Sequence, residues 1–288
     1  GTMLVHQATV PGERIDESPP LPPRGAYPQS KAAAEAVIAE EHGDIPYVLL
    51  HLAGLYDEQT AVPTLAQQIV RIYERDVQGY LYAGDVHAGQ SMIHRDDMID
   101  AFKRVIDRRG QLPGAVTILV GEPEAMSYEE LQEALGRLVH GEDWATLSLP
   151  QPLAKAGAWL QGVAEPIVPD AIDRGEKPFI RPFMIEIASD HYALDISRAR
   201  DLLGWTPKHK IQEMLPRLVA SLKRDPPAWY RDNGIAPPPW LETVEDAAEH
   251  PEALRRQAEA DFRTLHRRYL WAPFVTAMAG AWLIASPP

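Results

Sequence analysis

Two side chains four residues apart, Tyr27 and Lys31, carry the most suggestive chemistry in the sequence. An ammonium beside a phenol stabilises the phenolate. A phenol held that way can give or take a proton at neutral pH while a hydride moves elsewhere. The pair stands in Tyr27-Pro28-Gln29-Ser30-Lys31-Ala32-Ala33-Ala34-Glu35, after a Pro/Gly-rich loop (18–25) and at the head of an Ala-rich run reaching about Glu41. Proline is tolerated in a helix only in the first turn, so Pro28 places Tyr27 at or just before the helix start. Lys31 then follows on the same face, one turn on. The spacing alone also fits the solvated end of an ordinary amphipathic helix, because a five-residue pattern recurs easily.

Neighbouring segments supply the elements that would hold such a pair. Gly1-Thr2-Met3-Leu4-Val5-His6 reads as a short apolar strand, and Asp16-Glu17-Ser18-Pro19-Pro20 as an acidic, proline-rich loop before the helix. Ile45 to Tyr56 is a near-continuous apolar run, the pattern of a strand buried on both faces. Strand, helix and strand in this order imply a right-handed parallel crossover. Further on, Asp195-Ile196-Ser197-Arg198-Ala199-Arg200-Asp201-Leu202-Leu203-Gly204-Trp205-Thr206-Pro207 reads as a short helix, capped by Asp195, ended by Gly204 and stopped by Pro207.

Together these segments resemble the extended short-chain dehydrogenase/reductases, the NAD-dependent epimerase/dehydratase family, over roughly residues 1 to 235. That family ends a central parallel strand with Ser or Thr and enters a helix at Tyr-x-x-x-Lys; the separation here is 27 − 2 = 25 residues. Its C-terminal signature is similar to the Asp195–Pro207 unit. The resemblance implies an α/β fold with a Rossmann-type parallel sheet, NAD or NADP as cofactor, and a small-molecule substrate. Thr2 would hydrogen-bond the reacting oxygen, Tyr27 would act as acid/base, and Lys31 would favour the phenolate and hold the cofactor ribose. Leu52, Ala53, Gly54 and Leu55 would line the nicotinamide. The family commonly has Arg-Pro where this chain has His51-Leu52. Its sugar-nucleotide enzymes often place Asn at the position of Gly54 and Arg at that of Gln90. Those departures weigh against a nucleoside-diphosphate sugar. A lipid-like alcohol, as in the 3β-hydroxysteroid dehydrogenase branch, is the competing substrate class.

The intervening chain reads as a helix over Pro63–Arg75, then a Gly-rich hairpin or loop over Gln78–Gly89, with His87 and Gln90 as substrate candidates. Ser91 to Ala101 is a strand turning into a helix capped by Asp96 or Asp97. His94 within it is either a base or a structural histidine tying the loop, and the structural role is preferred. Ala115–Val120 is a buried strand, and Ser127 with Glu130 forms a capping box for a helix ending near Gly141. Pro152–Val163 is read as helical. Arg181, with Phe179, Phe183 and Met184, lines either a substrate pocket or a core edge.

Composition bounds the remaining choices. With a net charge of −13 the chain lacks the basic footprint of a nucleic-acid binder. It contains no cysteine, which excludes disulfides, thiolate catalysis and thiolate zinc sites; no metal site is expected. A Gly-x-x-Gly-x-x-Gly cofactor turn occurs nowhere in the 288 residues. The expectation is therefore a partial Rossmann-type sheet lacking its N-terminal half, about a hundred residues of a normal domain. In this reading residues 1–57 belong to the dinucleotide-binding domain, rejoined by strand 115–120, and 58–235 form mainly a small α/β substrate domain. Residues 236–268 are a Pro-rich linker and charged helix. Residues 269–288 are a candidate membrane segment resembling the start of a Ser-Pro-Trp repeat, or alternatively a buried or amphipathic helix. Arg263, His266, Arg267 and Arg268 before it would keep the enzyme on the cytoplasmic face of the inner membrane, with a cytoplasmic location as the alternative. A homodimer is left open. The expected activity is hydride transfer at a carbinol or carbonyl carbon, with a non-catalytic NAD(P)-binding sensor or scaffold as the alternative.

Overall fold

Met3–Val5 form a 3-10 turn, followed by α1 (Ala26–Glu41), β1 (Tyr47–Leu52), β2 (Gly54–Tyr56) and α2 (Pro63–Tyr73). A second 3-10 turn (Val77–Tyr80) leads to β3 (Leu81–Tyr82), β4 (Met92–His94), α3 (Arg95–Arg108), β5 (Ala115–Val120), α4 (Tyr128–His140) and β6 (Leu147–Ser148). The series closes with α5 (Ser197–Leu203), α6 (Ile211–Arg224) and α7 (Pro226–Asp232). This computed structural model describes residues 1–18, 23, 25–82, 84–148, 189–238 and 240–241. The chain divides into two compact units, Gly1–Ala236 and Pro237–Pro288. Arg181, the helix expected at 152–163, the charged helix at 246–268 and the candidate membrane segment at 269–288 lie outside the described residues. Among the described residues no helix is long and apolar enough to cross a membrane.

β1 and β5 pair in parallel along their full length, from Tyr47 opposite Ala115 to Leu52 opposite Val120. Thr2 adds a parallel bridge to Leu52 on the other side of β1. The segment Gly1–His6 is therefore a strand only at Thr2, a correction to the expected strand. Beyond it the Thr2 hydroxyl accepts from the Leu4 amide, 3.4 Å away, and the chain coils into the 3-10 turn. The apolar run 45–56 is likewise not one strand. At Ala53 it leaves the β5 ladder and joins β4, with Gly54 opposite Met92 and Tyr56 opposite His94. Nor is 78–89 a hairpin, since β3 pairs in parallel with β6.

Helix ends follow local chemistry. Gly25 enters α1 at φ 89°, a conformation open mainly to glycine, and Pro28 sits in the first turn. Ser127 and Glu130 complete the capping box of α4, which stops at Gly141 in the left-handed region. Gly204 ends α5 at φ 58°, but its N-cap is Ile196 rather than the expected Asp195, whose carboxylate accepts from the Ser197 amide at 2.9 Å from one residue earlier. The cap of α3 departs from expectation: neither Asp96 nor Asp97 supplies it. His94 does, its Nδ1 accepting from the Asp96 amide at 3.2 Å, in line with a structural histidine. Asp97 is taken elsewhere, its Oδ2 accepting from the amides of Lys208 and His209.

The core lies between the β1–β5 ladder and the α3–α5 layer. Leu50, Ile93, Ala101, Ile118, Leu119, Val120, Leu194, Ala199, Leu203 and Trp205 bury together there. Apolar burial of this kind is the main favourable term in folding. A second helical layer packs α2 on α4, α4 on α6 and α6 on α7.

Candidate active site

Parallel α/β sheets bind ligands at the carboxyl ends of their strands. In this chain that rim gathers Thr2, the end of β1 and the end of β5, and it is where β1 changes ladder. A right-handed crossover returns its helix antiparallel to the strands, so the first turns of α1 stand at the same rim. Tyr27 and Lys31 occupy those turns. Lys31 Nζ lies 5.4 Å from the centroid of the Tyr27 ring, within cation–π range. Tyr27 is 54% exposed, so the phenol is open to a reactant. The structure thus brings the phenol and the ammonium together.

Thr2 shares the rim with this pair by topology, while its hydroxyl caps the 3-10 turn. Among the described residues no hydrogen bond joins it to Tyr27 or Lys31. The expected nicotinamide strip falls on the seam at Ala53: the Ala53 amide donates to the Val120 carbonyl, and the Gly54 amide to that of Ser91. Leu52 and Gly54 are half-buried, Ala53 buried and Leu55 exposed. Among the described residues no hydrogen bond or ring contact joins this strip to Tyr27 or Lys31; the two share only the rim of the sheet. The Gly-x-x-Gly-x-x-Gly turn that would cradle the diphosphate does not occur in the 288 residues. His87 is exposed, with Nδ1 3.5 Å from Glu129, and Gln90 bridges Tyr192 in parallel. No contact among the described residues joins either of them to Tyr27.

Sequence patterns missed two buried polar groups near this rim. In the first, His6 Nε2 and His51 Nδ1 are 2.7 Å apart, and His51 Nε2 lies 3.0 Å from Glu35 Oε2. Burial pushes both imidazoles down to about 4, so they are neutral near pH 7 and the Glu35 contact is a hydrogen bond rather than an ion pair. Burial raises the Glu35 carboxyl as well. The only sequence hints were a histidine interrupting the apolar run of β1 and a glutamate one turn beyond Lys31.

The second group centres on Glu122. It accepts from Tyr56 Oη at 3.1 Å and, through both oxygens, from the Ile211 amide at 3.0 Å. These bonds favour the carboxylate, yet burial outweighs them and pushes the group up to about 7. The folded protein therefore holds a proton here that the unfolded chain releases above its ordinary value of 4.5. The resulting stability is fully present below that value and lost as pH rises through about 7. The loss amounts to about 3 kcal/mol at most. We expect Glu122→Gln to be more stable than the parent at pH 8 and to differ little from it at pH 4.5, in urea titrations at each pH. His6 and His51 act with the opposite sign, losing stability as pH falls from 6.5 toward 4, so the comparison of the two proteins isolates Glu122.

Comparison with known proteins bears on this arrangement. No family profile matches the chain. Its sequence is similar to the sterol-4-alpha-carboxylate 3-dehydrogenase, decarboxylating, of Saccharomyces cerevisiae, at 23% identity over 221 residues. The match covers 71% of this chain and 59% of the yeast protein, so the chain spans less than two thirds of that relative's length. Among solved structures it is similar to dTDP-glucose 4,6-dehydratase from Bacillus anthracis in complex with NAD. The TM-score is 0.56 and the identity 15%, over 80% of this chain and 62% of that one. It is also similar to UDP-glucuronic acid 4-epimerase from Bacillus cereus in complex with UDP-glucuronic acid and NAD. That TM-score is 0.54 and the identity 17%, over 77% and 60% of the two chains. At such identities the likeness establishes the fold: a mixed α/β chain with a Rossmann-like parallel sheet, shared with NAD-dependent epimerase/dehydratase-type enzymes.

Proposed function

We propose that the protein is an NAD(P)-dependent oxidoreductase of the extended short-chain dehydrogenase type, acting at a carbinol or carbonyl carbon. The observation that carries this reading is the Tyr27–Lys31 pair, closed over one turn of α1 at the carboxyl rim of a parallel sheet. The NAD-bound fold neighbours and the yeast dehydrogenase support it. When bound, the cofactor supplies the hydride acceptor or donor. In the oxidative direction Tyr27 takes the substrate hydroxyl proton. Lys31 stabilises the phenolate and binds the ribose, and Thr2 turns its hydroxyl to the reacting oxygen. The apolar strip Leu52–Leu55 keeps water from the hydride path.

For substrate, we favour a lipid-like secondary alcohol over a nucleotide sugar. The yeast relative acts on a sterol carboxylate by name, and Gly54 and Gln90 stand where sugar-nucleotide enzymes often carry Asn and Arg. The test supplies the complete protein with NAD+ or NADP+ and either a 3β-hydroxysteroid or a UDP-hexose. Reduced cofactor forming with the steroid alone is expected. Formation with the sugar alone would reverse the substrate choice, and none with any alcohol would remove the enzyme reading.

A further inference from the structure

We propose that His6, His51 and Glu35 form a positioning chain that holds the Tyr27–Lys31 face of α1 toward the strand ends. The proposal rests on the oxidoreductase reading for its catalytic consequence, though not for its geometry. Tyr27, Lys31 and Glu35 recur every four residues and so share one helix face. Whatever fixes Glu35 about the helix axis fixes the other two. Packing alone supplies little of that constraint, because Pro28 is the one buried residue of α1. The other side-chain hydrogen bonds from α1 among the described residues are local: Ser30 donates to the Tyr27 carbonyl and Gln29 to that of Pro23. Glu35 is the side chain that reaches a strand, meeting His51 at 3.0 Å with its own side chain only 16% exposed.

The chain has a direction. A carboxylate only accepts, so His51 Nε2–H donates to Glu35. His51 Nδ1 is then bare and accepts from His6 Nε2–H, across 2.7 Å. His6 follows the 3-10 turn that Thr2 caps, and His51 precedes Leu52, to which Thr2 is bridged. Three side chains therefore connect the three elements that carry the acid/base pair, the hydroxyl donor and the nicotinamide strip. Gly1 closes the arrangement sterically. A Cβ there would lie 2.5 Å from His51 Cδ2 and 2.6 Å from Glu35 Oε1, so a larger residue would require one of those two side chains to move.

The test combines imidazole nitrogen NMR with kinetics on the complete protein. His51 protonated at Nε2 and bare at Nδ1, with His6 protonated at Nε2, is expected at pH 7; the reverse pattern would overturn the chain. Glu35→Ala should shift the His51 nitrogens and the ring signals of Tyr27. It should also lower kcat about tenfold or more with KM little changed, since small displacements of a reacting group are costly. Glu35→Gln keeps an acceptor oxygen and should restore both readouts in large part. Unchanged His51 signals and unchanged kcat in Glu35→Ala would sink the proposal. If no form turns over, wild type included, yet Glu35→Ala still moves His51 and Tyr27, the positioning chain stands while the oxidoreductase reading falls. Should Glu35→Ala fail to fold, His51→Gln serves as the second variant: Tyr27 ring signals unmoved in it count against the chain, and shifted ones for it.

Discussion

Replacing Tyr27 by Phe in the complete protein is expected to lower kcat by about 10²–10⁴-fold, the usual contribution of a positioned acid/base. Affinity for NAD(P) should stay nearly unchanged. The substitution removes one oxygen and keeps the ring that Lys31 approaches at 5.4 Å, so the helix start and the ammonium remain in place. Cofactor titration by fluorescence and steady-state kinetics separate the two quantities. Retained turnover would show that the phenol is not the proton carrier, and a lost cofactor site would show that Tyr27 serves mainly in binding.

Trp205→Ala is expected to have the largest effect on stability. The indole is fully buried in the core cluster, and its Nε1 donates to the Asp97 carbonyl of α3 at 3.0 Å. Truncating a buried tryptophan typically costs about 3–5 kcal/mol through lost transfer energy and the cavity left behind. The Asp97 carbonyl would also lose its donor. Urea unfolding read by far-UV circular dichroism gives the number. A loss near zero would mean that residues 195–207 are not the core element the structure places against β5.

What was legible in the sequence was whatever local chemistry decides. Pro28 located the start of α1, Ser127 with Glu130 located that of α4, and Gly141 and Gly204 located two helix ends. Each rests on bonds or torsions within a few residues. The errors share a different cause. Asp97 looked like a cap but is engaged by the amides of Lys208 and His209, more than a hundred residues away, leaving the cap to His94. The apolar run 45–56 looked continuous because a strand that changes partner keeps its composition; only β4 and β5 reveal the break at Ala53. Gly1–His6 was apolar enough for a strand, yet the Thr2 hydroxyl capping the Leu4 amide turns it into a coil. Within the candidate site, Tyr27 and Lys31 could be read from spacing because they are neighbours on one helix. Glu35, His51 and Glu122 could not, because what marks them is a partner on another element.

The seam at Ala53 has an evolutionary consequence. A Cβ on Gly121 would come within 2.5 Å of that of Ala53, so both positions are held to the smallest side chains. Divergence in descendants of this protein should accordingly spare Ala53 and Gly121 as single positions. The seam itself should change only through paired replacements that re-space both strands together.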